Sequence, residues 1–236
     1  MKSKKTQITI FVIIAIVIIL GVAAFFVIKQ NSSLNVETSL DRDLTKKVES
    51  CATELLNSGI GLIGIQGGYI ALPENFVATS DSKIAYGFYE GQNTLVSLAE
   101  MEKELSSFLE FSLPECLNQT IIKNYEIKKG VASVKTKISA DYVSVDIIYP
   151  ITISSAESTY TFDKYFVKTN SILGSLHDAM NNIILSQAEN ISYINTLTFA
   201  DSGYNAQIYT LDENTQIYSI GDSMEKFKFV TALDTR

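Results

Sequence analysis

Histidine and cysteine are scarce in this chain of 236 residues, with one and two copies. The single imidazole, His177, lies beside Asp178 on a predicted helix, where adjacent positions do not face one another. It therefore falls short of a metal centre or a nucleophile–base pair and is expected as a surface or boundary residue. The two cysteines bring no further ligands at compact spacing, so no metal site is expected. G-x-S-x-G, H-E-x-x-H and a Walker loop are all missing. The glycines of GIGLIGIQGGYI lead into no Lys-Ser/Thr pair and follow no dinucleotide fingerprint, so no cofactor is expected.

Positive charge is also scarce. Lys2, Lys4, Lys5 and Lys29 are the only charged residues before position 30, leaving 15 basic against 26 acidic residues in 30–236, a net −11. That body lacks the basic footprint nucleic acid requires, and no nucleic-acid partner is expected. At 46% hydrophobic and 19% charged residues, the composition is that of a folded protein.

Against these absences stands one long apolar run. Residues 8–28, ITIFVIIAIVIILGVAAFFVI, carry no formal charge, and Thr9 is their only conventionally polar side chain. At about 1.5 Å per residue such a helix crosses a hydrocarbon core of about 30 Å. It is apolar on every face, which suits lipid better than the interior of a soluble domain. Lysines precede the run, whereas Glu37, Asp41 and Asp43 lie beyond it. The positive-inside rule then predicts a cytoplasmic tail at 1–7, a transmembrane helix at 8–28 and an extracytoplasmic C-terminal body. The length of the run and the missing small-residue exit before Lys29 favour a retained anchor over a cleaved signal. No GxxxG face or embedded charge specifies a helix partner in the bilayer, so the oligomeric state stays open.

KKTQITIF resembles the class III, prepilin-like leaders of archaeal surface proteins, with Thr6 where the family has Gly and Phe11 where a mature pilin helix has Glu. The resemblance implies cleavage between Thr6 and Gln7 and a pilin-like filament subunit as an alternative to the anchor.

Residues 29–37 read as a polar linker and 38–236 as the folded body. Leu40, Leu44, Val48, Cys51 and Leu55 predict a helix ending near Asn57 to Gly59, where the glycines oppose its continuation. A strand is expected at 84–89, then a helix at 97–112 that Pro114 ends. Glu100, Glu102, Glu104 and Glu110 on that helix read as solvating charges. Strands follow at 122–128, 131–139 and 141–149, with Pro150 separating the last from ITISS. Another is expected at 160–167, then a helix at 170–188, a hairpin of 206–211 and 216–220 about DENT, and a strand near 227–230. The fold class is α+β, with antiparallel strands and about three helices, as one core or as two lobes divided near 117–130. VESC, GIQGGYI, YGFYEG, LAEMEKELSSFLEF, LPEC, YPITI and SQAEN resemble segments of uncharacterised archaeal membrane-anchored surface proteins. That resemblance implies an exported α+β domain and transfers no reaction or site residue.

Export makes a disulfide between Cys51 and Cys116 the expected state of the two thiols, with free structural thiols as the alternative. The enclosed loop of about 65 residues corresponds to a stabilisation of about 4 kcal/mol. Tyr69, Tyr86 and Tyr89 form a candidate aromatic binding surface for apolar or sugar faces, against ordinary core packing. Asn31, Asn118 and Asn190 open N-x-S/T sequons that export exposes to glycosylation. The functional expectation is a membrane-tethered surface-display or recognition module, held in the lipid bilayer and contacting an envelope protein or glycan. A filament subunit and an envelope-acting hydrolase are the alternatives.

Overall fold

A computed structural model describes residues 41–117, 126–156, 158–189, 204–222 and 227–234. The predicted tail, membrane span and linker lie outside the described residues. The chain divides into two compact units, Met1–Lys46 and Lys47–Arg236. The described residues form a mixed α+β fold with three helices and two sheets.

Helix α1 covers residues 41–65. Within the second unit it buries Val48, Cys51, Ala52, Leu56, Ile60 and Ile63 as one stripe. It passes the expected stop near Asn57 to Gly59, because Gly59 and Gly64 serve close approach here and do not break the helix. A Cβ on Gly59 would stand 2.9 Å from Leu105 Cδ2, and one on Gly64 would stand 2.5 Å from the Lys228 carbonyl oxygen. The helix ends where Gly67 takes φ 77° and the Gly68 N–H donates to the Ile63 carbonyl at 2.8 Å, a Schellman-type closure.

The first sheet is ordered β1 (Phe76–Ala78), β2 (Lys83–Tyr89), β10 (Lys228–Asp234), β9 (Thr215–Gly221) and β8 (Asn205–Thr210), with β3 (Gln92–Asn93) paired to β2. Only the β2–β10 pair is parallel. Glu90 and Gly91, with φ 49° and 76°, make the tight β2–β3 turn within the EGQN segment. The expected 206–220 hairpin is the β8–β9 pair, and the last three residues of FKFV open β10, whose residues from Phe229 to Asp234 are all buried.

The second sheet is built on β6 (Tyr142–Ser154). β7 (Thr159–Asn170) runs along one edge of β6, while β5 (Ser133–Ile138) and β4 (Glu126–Lys129) lie end to end along the other. Val143, Val145, Ile147, Tyr149, Ile151 and Ile153 all point inward. Pro150 does not end this strand as expected. It sits where the β6–β7 register shifts between Ile148 and Ile151, a bulge that does not need its missing N–H, and its carbonyl accepts from Gly130 N–H at 2.8 Å.

Helix α2 (Leu98–Cys116) starts at Ser97, whose hydroxyl accepts from Glu100 N–H at 3.2 Å. Met101, Leu105, Leu109 and Leu113 form its buried row. Pro114 lies inside the last turn, so the helix runs two residues past it to Cys116. Cys51 and Cys116 form a disulfide, with Cα atoms 6.3 Å apart, that staples α1 to the end of α2. Helix α3 (Leu173–Glu189) buries Leu173, Leu176, Met180, Ile183 and Ile184 and packs against strands of both sheets, among them β10, β2 and β6.

Candidate functional site

Alternation along the first sheet sends Phe229, Thr231 and Tyr218 to the α3 side and leaves the residues between them on the opposite face. Register defines the rows of that face. Tyr209 pairs with Ile217, Ile217 with Ala232, and Ala232 with Tyr86. The next row runs from Gln207 through Ser219 to Val230, and the one after it from Asn205 through Gly221 to Lys228. Ile84, Ile217, Val230 and Ala232 form a buried apolar cluster, against which Val77 and Tyr86 pack.

A cavity of about 490 Å³ lies over this face, with Ile84, Ile217 and Val230 beneath it and Tyr209 as a wall. The β1–β2 turn closes one side: Thr79 Oγ1 accepts from Ser82 N–H at 3.1 Å, which fixes the loop carrying Ser80 and Asp81. A smaller cavity of about 90 Å³ shares Ser219 and Lys228 with the first and extends towards Asn205, Gln207 and Asp222. Tyr209 is 54% exposed, and its hydroxyl donates to Gln207 Oε1. Together the two cavities present an aliphatic floor, one aromatic wall, several hydroxyl and amide groups, two carboxylates at Asp81 and Asp222 and one ammonium at Lys228. Those groups can hold a ligand with one apolar face and a hydroxyl-rich edge.

Of the three tyrosines singled out in the sequence, Tyr86 and Tyr89 come together, with ring centroids 5.0 Å apart. Tyr86 shares the face of the groove, and its hydroxyl lies 3.4 Å from Thr215 Oγ1. Tyr69 belongs to a different surface, in the segment after α1 that α2 holds. Glu104 accepts there from the N–H groups of Ile70 at 3.0 Å and Ala71 at 2.9 Å. Burial, then the charges of Glu100 and Glu104, push the Tyr69 hydroxyl above its ordinary pKa.

Two expectations about charged and polar residues are corrected. Glu102, Glu104 and Glu110 do more than solvate a helix: Glu102 accepts from Ile138 N–H at 2.9 Å and Glu110 from Val134 N–H at 2.8 Å, with Ser106 accepting from Thr136 N–H between them at 3.0 Å. One acceptor per helical turn meets one outward N–H per two strand residues, so α2 satisfies the edge of β5. His177 is buried, not a surface or boundary residue. Its Nε2 donates to the Val96 carbonyl at 2.7 Å, and its ring stands edge-on to Phe229, which fixes the α2 approach loop on α3.

Asn31, Asn118 and Asn190 lie outside the described residues. Among the described residues no helix is long and apolar enough to cross a membrane, and no group of three or more His, Cys, Asp or Glu could hold a metal ion. Sequence reasoning missed Tyr209, Ser219, Asp81 and Lys228. The available signal was the alternation in NAQIYT, which puts Asn205, Gln207 and Tyr209 on one side of a strand; what they face depends on β9 and β10. Compared with known proteins, the chain matches no family model, no curated protein and no solved structure.

Proposed function

We propose that this chain is a membrane-tethered recognition module that binds a saccharide of the cell envelope in the groove of the first sheet. The observation carrying the ligand class is Tyr209. Its half-exposed ring forms a wall of the cavity beside the Gln207 amide and above the Ile217–Val230 floor. An aromatic face packs on the C–H face of a sugar, and the surrounding Ser, Thr, Asn and Gln groups supply hydrogen bonds without a large charge. Tethering is supported by the uncharged run at 8–28 and the lysines before it, and export by the Cys51–Cys116 disulfide. The resemblance to archaeal membrane-anchored surface proteins points the same way.

The test is titration of the full chain in detergent with envelope polysaccharide fragments. The expected outcome is saturable binding that Tyr209→Ala weakens at least tenfold while the thermal midpoint stays within a few degrees. Equal binding by the variant would remove the groove from the proposal. External protease that fails to cleave the body on intact cells would remove the tether.

A further inference from the structure

The outward face of the second sheet gathers lysines in a body that is otherwise acidic. Register places Lys137, Ser144 and Lys168 in one row, Lys135, Asp146 and Phe166 in the next, and Ser133, Ile148 and Lys164 in the third. Beyond the bulge, Lys128 and Thr152 continue the same face. Five of the 15 basic residues of 30–236 therefore project from one side of a four-stranded sheet. The carboxylates among them are Asp146 in the middle, Glu126 at the far end beside Lys128, and Glu102 of α2, which pairs with Lys137 at 3.1 Å; Asp163 adjoins Lys164 in β7.

At the centre of the lysines lie two exposed apolar side chains, Ile148 at 53% and Phe166 at 51%. They are diagonal neighbours on adjacent strands, close enough to act as one patch. Lys168 stands with its ammonium 3.6 Å from the Tyr142 ring centroid, which holds one cation of the set in place.

We infer that this face docks on an anionic lipid surface: Ile148 and Phe166 enter the headgroup boundary, while Lys135, Lys164 and Lys168 meet lipid phosphates. An apolar pair ringed by lysines fits a bilayer better than a free polyanion, which would reward the charges and leave Ile148 and Phe166 in water. The inference rests on the proposed anchor for one thing alone, the presence of a bilayer tethered to the same chain, which makes docking on it an intramolecular event.

The chain contains no tryptophan, so an introduced one is an unambiguous reporter. Phe166→Trp in the full chain is reconstituted into vesicles of brominated phosphatidylglycerol or brominated phosphatidylcholine, with folding checked by circular dichroism. The expected result is at least a twofold loss of emission in the anionic vesicles, largely reversed in phosphatidylcholine, in high salt and in a Lys135→Glu/Lys164→Glu background. Unquenched emission in brominated phosphatidylglycerol would overturn the inference, as would emission that responds to added polyglutamate but not to the lipid. Phe25→Trp, measured in parallel, separates the two proposals. Quenching at 25 without quenching at 166 rejects the docking face and keeps the anchor, and quenching at neither position rejects both.

Discussion

At the scale of single residues, polar atoms decide more than their count in the sequence suggests. Glu100, Glu102, Glu104 and Glu110 share one helix, yet Glu100 is held mainly by the exposed Lys103, while the other three accept backbone N–H groups of other elements. Replacing Glu110 or Glu102 by Ala leaves a strand N–H without its acceptor, and each change is expected to lower stability by about 1–2 kcal/mol in urea unfolding. Gln, which keeps an acceptor, loses less, and Glu100→Ala changes little. The distinction was not legible in the sequence, since all four carboxylates look alike until β5 is laid beside α2. Tyr218 yields a prediction of the opposite kind. Burial pushes its hydroxyl from an ordinary 10.0 up to about 12, so the folded chain keeps a proton that the unfolded chain releases. The stability this represents is intact below pH 10 and is lost as the pH rises from there towards 12. Burial raises Tyr69 and Tyr149 as well, adding slope of the same sign. Urea midpoints measured between pH 9 and 11.5 are expected to fall, less steeply in Tyr218→Phe; an unchanged slope in that variant would show that the burial of this hydroxyl is not what the profile reports.

At the scale of elements, the helices and strands follow closely from period. Val134, Thr136 and Ile138 against Lys135 and Lys137, and Val143, Val145 and Ile147 against Ser144 and Asp146, occupy inner and outer faces as their alternation requires. What misled was punctuation. Pro114, Pro150 and the glycines from 59 to 64 read as stops, but a proline is tolerated in a last helical turn or at a bulge, and a glycine inside a helix can serve a neighbour's approach. Gly61 and Gly64 make that last point measurable with opposite signs. Nothing lies within 4 Å of a Cβ placed on Gly61, so Gly61→Ala adds helix propensity alone and is expected to raise stability by up to about 1 kcal/mol. On Gly64 the same methyl meets the Lys228 carbonyl, part of a strand that cannot swing aside, and Gly64→Ala is expected to lower stability by about 1–3 kcal/mol. Equal shifts in the two denaturation midpoints would contradict the packing of α1 on β10.

At the scale of the whole molecule, the arrangement of strands was the least legible level, because pairing depends on partners far apart in sequence. Short strands are expected at 84–89 and near 227–230, but no local feature states that residues near 230 insert beside residues near 86, parallel to them, with β9 on the other side. The groove inherits that obscurity: Asp81, Tyr209 and Lys228 come from three separate stretches and meet only once β10 is in place. The same insertion makes β10 the keystone of the first sheet. Phe229 to Asp234 are buried without interruption, and Thr231 Oγ1 donates to the Ala85 carbonyl at 3.0 Å from within the core. Removing residues 228–236 would leave β2 and β9 as two bare edges and strip α3 of Phe229, so the expected outcome is loss of the cooperative transition and not a modest drop in midpoint. Hydrogen exchange on the intact chain tests the same point without the truncation. Amides of β10 are expected to exchange only through global unfolding, while those of β8 and β1, each paired on one side, exchange through smaller openings. If β8 proved as protected as β10, the strand order itself, and with it the floor of the groove, would have to be redrawn.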